Sequence, residues 1–340
     1  MVMRKIFACF ILVICSLDTY CIAGNAMDIP APIYADSHYC GSCDPEIVWN
    51  PETKEWIIFY TARRPSLGQS SACGTPIGVC TSKDMRNWKF QGYCFFDGEG
   101  GKPDSEHTFW APGCIIKDGL LHMFVTYKED ATPPWGTGGC IVHYTASLSD
   151  FVNGWKRVGV VVNEDRCLDA SVVKLPSGIY RMYYVGGTET MKNKKKMIRY
   201  AESNDLYSWT MKGDVKGDVN NFDVHSLPYQ EAVYVFMYEN RFYMLTDPHV
   251  GLATYSSEDG VTWKYHGQIM KANTSDRTLD WSQGRHPSVY VNNENEAFIF
   301  YHVEPFRAGK EARFLEKHQR YTFLQMARIV CNEDGIKVIR

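Results

Sequence analysis

A chain of 340 residues with 36 Lys and Arg against 39 Asp and Glu carries a formal charge of −3. That balance leaves no basic face or long like-charge block for nucleic acid or an anionic membrane surface. Aromatics make up 14 % of the chain, with 21 Tyr and 9 Trp, a supply suited to half-buried strands and to the flat faces on which sugars stack.

At the N-terminus, Arg4 and Lys5 precede an apolar run over residues 6–17 and small residues around 23–26, the layout of a secretory signal peptide. Cleavage is expected near Gly24 or Ala26, so that residues 1–24 are the signal and 25–340 form one exported domain, periplasmic or secreted. Cys21 offers the alternative of a lipidated first residue, making the protein a lipoprotein. No later segment approaches the ~18 apolar residues of a membrane span. Removing Cys9, Cys15 and Cys21 leaves nine of the 12 cysteines, an odd number that cannot close a disulfide framework. Cys40 and Cys43 form a C-x-x-C without a second pair at zinc-ribbon spacing, so a local bridge or two buried small side chains is expected there and no metal is assigned. Asn273-Thr274-Ser275 is a glycosylation triplet.

From residue 44 onward one unit recurs. An acidic or aromatic loop opens a β-branched strand; a turn, an aromatic strand and a short strand with small residues follow, and a polar turn leads to Trp. The copies span 44–96, 107–162, 168–215, 229–269 and 284–339, with D-P-E-I-V-W, F-W-A-P-G-C-I-I, L-D-A-S-V-V-K, E-A-V-Y-V-F and R-H-P-S-V-Y-V at their openings. Trp88, Trp155, Trp209 and Trp263 are separated by 67, 54 and 54 residues, the length of a four-stranded sheet with its turns. Periods of this size indicate propellers or solenoids, and five radial sheets about one axis predict an all-β, five-bladed β-propeller. Residues 33–35 are expected to complete the last blade. Residues 305–319 are the best candidate for a helix, and the basic run 192–196 is expected to be a solvated hairpin tip.

In a propeller the innermost strand of each blade lines the central funnel, so its opening residues converge. Three copies place a carboxylate there: Asp44, Asp169 and Glu231. Glycoside hydrolysis needs one carboxylic acid to protonate the leaving oxygen and one carboxylate to activate water or attack the sugar. A third can raise the pKa of the acid and orient it. Asp36 is a rival for the base.

The ordered set D-P, W-A-P, Asp, E-A and R-H-P resembles glycoside hydrolase family 43 and its five-bladed relatives over nearly the whole mature chain. The resemblance implies that Asp44 is the general base, Asp169 the pKa modulator and Glu231 the general acid, with inversion at the anomeric carbon. The sequence departs from the pattern at Ala170, Val233 and Gly113. Trp110 is expected to be a stacking platform. Of Arg63 and Arg64, one is expected to reach substrate hydroxyls and the other to cap an acid; Arg285 and His286 complete the substrate-binding set, His286 facing a structural calcium or water in the central channel. No cofactor is required. The expected protein is a monomeric, exo-acting glycosidase that removes α-L-arabinofuranose or β-xylose from plant-type oligosaccharides or polysaccharides. The alternatives are an inverting glycoside phosphorylase using the basic cluster for phosphate, and a carbohydrate-binding propeller without catalysis.

Overall fold

The computed structural model describes residues 29–65, 72–132, 139–164, 166–186, 196–307 and 320–340. Each repeat forms one antiparallel sheet. Blade one is β1 (Ser42–Asn50), β2 (Glu55–Ala62), β3 (Ile77–Ser82) and β4 (Lys89–Tyr93), followed by a small ribbon of β5 (Phe95–Phe96) and β6 (Glu99–Gly100). Blade two is β7 (Thr108–Lys117), β8 (Leu120–Lys128), β9 (Cys140–Ser147) and β10 (Lys156–Val162). Blade three is β11 (Leu168–Lys174), β12 (Tyr180–Gly186), β13 (Met197–Ser203) and β14 (Thr210–Asp214). After it come β15 (Lys216–Gly217), which joins the outer edge of the next blade in parallel, and the single-turn α1 (Phe222–His225). Blade four is β16 (Tyr234–Tyr238), β17 (Arg241–Thr246), β18 (Leu252–Ser257) and β19 (Thr262–Ile269); blade five is β20 (Arg285–Val291), β21 (Ala297–Val303), β22 (Phe323–Asn332) and β23 (Gly335–Ile339). The innermost strands close a ring in the order β1, β7, β11, β16, β20 and back to β1. The chain is thus the expected five-bladed propeller.

Strands such as β2, W-I-I-F-Y-T-A after its first residue, are buried on both faces, so they read as continuous apolar runs rather than alternating ones. Each face packs against a different neighbour, and five apolar clusters fill the spaces between successive blades. The recurring Trp locks these interfaces. Trp155, Trp209, Trp263 and Trp88 meet Phe59, Phe124, Tyr183 and Phe300 at ring-centroid distances of 5.7, 5.4, 5.9 and 6.3 Å, all edge to face. Every one of these partners lies on the second strand of the preceding blade, three or four residues before its last residue. Edge-to-face pairs add about 0.5–1.5 kcal/mol beyond area burial, so the repeat carries its own interlock. The turn before three of these Trp residues is set by an Asp: Asp84, Asp205 and Asp259 each accept two backbone amides and a Ser hydroxyl, which fixes the chain's entry into the outer strand.

Residues 33–35 do reach the last blade: the amide of Ile33 donates to Leu324, and Tyr34 and Leu324 form a bridge. Asp36 anchors this closure. It is buried and accepts the hydroxyls of Tyr60 (2.6 Å) and Tyr93 (3.0 Å) and the amides of His38 and Tyr39. Cys40 and Cys43 are not bridged, and the nine described cysteines are all free thiols. The signal segment, residues 308–319 of the expected helix and residues 192–195 of the basic run lie outside the described residues. Among the described residues no helix is long and apolar enough to cross a membrane.

Candidate active site

All five inner strands open on the same local device. One residue near the start of each inner strand, Asp44, Ala111, Asp169, Ala232 or His286, takes a left-handed conformation with φ between 45° and 58°. In four blades the pairing register to the second strand shifts at this point. A bulge of this kind bends the strand and re-aims a side chain. The strain is offset by a bond from the bulged amide to the neighbouring blade. Ala111 donates to Thr61 Oγ1 (2.9 Å), Asp169 to Thr126 Oγ1 (3.0 Å) and Asp44 to His302 Nδ1 (3.1 Å). In blade three Val185 stands where Thr61 and Thr126 stand in blades one and two and cannot accept. The Asp169 carboxylate does so instead, taking the amide of Ala232 at 2.8 Å. Close packing near the axis also explains Gly113: a Cβ there would lie 2.0 Å from the carbonyl oxygen of Ala170.

The three acids converge on one cavity of ≈ 400 Å³, which Trp110, Arg63, Arg285 and His286 also line. Their registers differ from the expectation of equivalent positions. Asp44 and Asp169 occupy the same bulged position, whereas Glu231 lies one residue earlier, in the register of Trp110 and Arg285. Its side chain is 24 % exposed, against 6 % for Asp44, although Trp110 and Arg285 in the same register are nearly buried.

The charges around the acids differ. For Asp44, burial alone would raise the pKa, but His286 Nδ1 at 3.1 Å and Arg63 Nη2 at 3.8 Å hold it well below the usual carboxylate range. His302 contributes no full charge, because its Nδ1 accepts the Asp44 amide and its burial favours the neutral ring. Burial would lower the pKa of His286, but Asp44 and Asp169 raise it to about 9, so this ring is a cation at neutral pH. Asp169 is pushed up to about 6 by burial, against the pull of His286, with the Glu231 charge adding to the rise. Glu231 is held below the carboxylate range: burial opposes ionisation, but Lys196 on Oε1 and His249 Nε2 at 2.7 Å from Oε2 outweigh it.

Trp110 is nearly buried and donates its indole N–H to the carbonyl of Ala72, leaving part of its ring on the cavity. Arg64 is the expected site residue that the fold does not bring in. It turns outward to Asp104 (3.2 Å) and the carbonyl of Cys73 and is not part of the cavity wall, because successive residues of an extended segment point to opposite sides. Lys196, expected at a solvated tip, instead pairs with Glu231. Sequence reasoning also missed Asp247, His249, His302 and Glu304. These sit at or just past the ends of second strands, as Arg63 does, and applying the convergence argument to both ends of each hairpin would have found them. Asp247 holds Arg285 and one of these, His249, accepting from Arg285 Nε (3.1 Å) and from the His249 amide (2.7 Å). Among the described residues no three His, Cys, Asp or Glu side chains gather as a metal-ligand set.

The model of one family, glycosyl hydrolases family 43, matches residues 66–336. No curated protein matches the chain by sequence. Among solved structures, a thermostable family-43 glycoside hydrolase superposes with a TM-score of 0.66 at 19 % identity, over 88 % of this chain and 93 % of that one. A β-xylosidase/α-arabinofuranosidase from a compost microbial metagenome, in complex with xylotriose, gives 0.66 at 16 % identity over 91 % and 96 %. An enzyme from Xanthomonas citri complexed with xylotriose gives 0.63 at 13 % over 92 % and 93 %. The family match begins beyond Asp44, so the place of that residue in the site rests on the geometry above.

Proposed function

The chain belongs to glycosyl hydrolases family 43 and is a glycosidase, and from that premise we propose an exo-acting, inverting enzyme that releases a terminal α-L-arabinofuranosyl or β-xylosyl group from plant-type oligosaccharides. The observation that carries the reading is the convergence of Asp44, Asp169 and Glu231, from three blades, on one half-enclosed cavity, where Asp44 and Glu231 are held below the carboxylate range and Asp169 is raised to about 6. A cavity of ≈ 400 Å³ suits one or two sugar rings and so a chain end. The superposed β-xylosidase/α-arabinofuranosidase supports the choice of a pentose.

Asp44 is the base: His286 and Arg63 keep it ionised, ready to take a proton from the attacking water. Glu231 is the acid. In the resting site Lys196 and His249 hold it ionised; substrate that displaces the Lys196 ammonium leaves a desolvated carboxyl, and burial then favours the protonated form that donates to the leaving oxygen. Asp169 and Glu231 repel as like charges, which raises the Asp169 pKa and by reciprocity opposes ionisation of Glu231. Trp110 offers a ring face to the sugar. The enzyme needs no cofactor, and no step passes through a metal; a water in the channel beside His286 suffices. It is a monomer, exported by way of residues 1–24.

Two variants read on two leaving groups test the roles. Asp44→Asn should cut turnover roughly 10²- to 10⁴-fold on both an oligosaccharide and a dinitrophenyl glycoside. Glu231→Gln should lose a comparable factor on the oligosaccharide alone, since the activated leaving group needs no proton. Circular dichroism checks the fold, and proton NMR of the first-formed product reads inversion. Full oligosaccharide activity in both variants overturns the assignment. A rate that rises with phosphate indicates phosphorolysis, and glycan binding without any product indicates a binding propeller.

A further inference from the structure

The two carboxylate oxygens of Glu231 have partners of different kinds. Oε1 takes the ammonium of Lys196, at the end of a flexible four-carbon stem, and Oε2 takes Nε2 of His249 at 2.7 Å. A carboxylate only accepts, so Nε2 carries the hydrogen whatever the charge of the ring. His249 lies in the connection from β17 to β18 and is held at three further points. Its amide donates to Asp247 Oδ1 at 2.7 Å, its carbonyl accepts from Gln283 Nε2 at 2.8 Å, and its ring meets Tyr229 edge to face with 4.8 Å between centroids. Asp247 is fixed in turn by Arg285 Nε at 3.1 Å and by backbone bonds of 2.8 and 3.3 Å with Glu231 itself. The backbone at His249 is left-handed, with φ 65°, which is uncommon for a residue bearing a Cβ.

A general acid must bring its proton-bearing oxygen within hydrogen-bond reach of the leaving oxygen. The last torsion of a glutamate is broad and roughly two-fold, so an unrestrained carboxyl presents either oxygen. The His249 bond removes that freedom. Lys196 and a leaving oxygen compete for Oε1, whereas Oε2 stays occupied. The bond also survives protonation of the acid: with the proton on Oε1, Oε2 is a carbonyl oxygen that still accepts from Nε2. Tyr229, His249 and Glu231 all line the cavity. The charged and titratable groups that face the pair come from several elements: Lys196 ahead of β13, Asp169 on β11, Tyr229 ahead of β16, Asp247 after β17 and Arg285 on β20.

We propose that His249 is the positioning residue of the general acid: it holds Glu231 Oε2, so that Oε1 alone is presented to the leaving oxygen once substrate displaces Lys196. This rests on the reading of Glu231 as the acid and adds the group that aims it. A residue with this task acts only on the step that draws a proton from Glu231 and leaves the attack of water at Asp44 unaffected. The effect of losing it therefore depends on the leaving group.

Turnover of His249→Ala, His249→Asn and His249→Gln on an oligosaccharide and on a dinitrophenyl glycoside of the same sugar measures this role. Alanine removes the donor; asparagine suits the left-handed backbone but is too short to reach Glu231; glutamine can place an N–H where Nε2 lies. His249→Ala and His249→Asn should each lower kcat on the oligosaccharide roughly 10- to 100-fold, with KM within about threefold and the dinitrophenyl rate within about twofold of the parent. His249→Gln should return to within about fivefold of the parent. In the first two variants the alkaline limb on the oligosaccharide should move to higher pH, because a bond that favours the ionised carboxylate is lost. Circular dichroism checks the fold, and His249→Asn carries the reading if His249→Ala does not fold. Equal losses on both substrates, full oligosaccharide activity in His249→Asn, or a His249→Gln variant no better than His249→Asn each overturn the proposal. Glu231→Gln separates it from the reading beneath it. Selectivity there but not at His249 leaves Glu231 as the acid and removes only the positioning role; no selectivity at Glu231, or a parent that cleaves neither substrate, removes both.

Discussion

Asp44 and Asp169 occupy the same bulged position in blades one and three, with φ of 50° and 58°, and both are nearly buried. One is nevertheless held well below the carboxylate range, while the other is raised to about 6. The backbone device is common, so the difference comes from what the adjoining hairpins deliver. Beside Asp44 stand the guanidinium of Arg63 and the imidazolium of His286. Asp169 has the more distant attraction of His286 and a second carboxylate, Glu231, which opposes its ionisation. A propeller thus fixes position by repetition and sets chemistry by the variable residues at strand ends.

The largest way to break this contrast is to remove the blade-one cation. Arg63→Met leaves Asp44 and Glu304 buried with one partner fewer, which should destabilise the fold by roughly 3–5 kcal/mol. It should also raise the pKa of Asp44, moving the acid limb of the rate profile to higher pH. Denaturant unfolding and a pH–rate profile read both effects, and a loss under about 1 kcal/mol would mean that Arg63 is not what keeps Asp44 charged.

Asp169→Asn should act with the opposite sign. The folded pKa of about 6 lies above the ordinary value of 3.8, so the folded state holds this proton more tightly. Stability is then lost as pH rises from about 4 through 6, and ionised Asp169 costs about 3 kcal/mol above that range. Asn keeps an acceptor for the Ala232 amide and carries no charge. The variant should melt higher than the parent at pH 8, with the advantage fading by pH 4, while turnover slows by roughly tenfold or more because Glu231 loses the neighbour that opposes its ionisation. Equal melting curves at pH 8 would return Asp169 to an ordinary strand-end role.

The smallest effect is expected at the partner of Glu231. Lys196→Met removes the strongest influence that keeps this acid ionised, so the alkaline limb should move to higher pH and the rate at pH 8 should rise roughly three- to tenfold. An unmoved limb would show that Lys196 has already left Glu231 in the working complex.

The repeat was legible because each blade must bury two faces. That requirement writes the same apolar runs, the Asp-directed turns and the interlocking Trp into successive segments, and it leaves the carboxylates at strand openings conspicuous. The one-residue offset of Glu231 was not legible, since the bulge that defines the register is a backbone conformation with no residue type of its own: Asp, Ala and His all occupy it.

The sequence by itself therefore determined the architecture and pointed to the three carboxylates that share the cavity, both of which follow from local pattern and its recurrence. Only the tertiary structure decided their company: His302 beside Asp44, Lys196 on Glu231, Arg64 turned out to Asp104 and four arginines around Glu304. Residues 44 and 302 are remote along the chain and become neighbours only when the fifth blade closes on the first. Electrostatic coupling depends on distance through the folded molecule, and ring closure sets that distance.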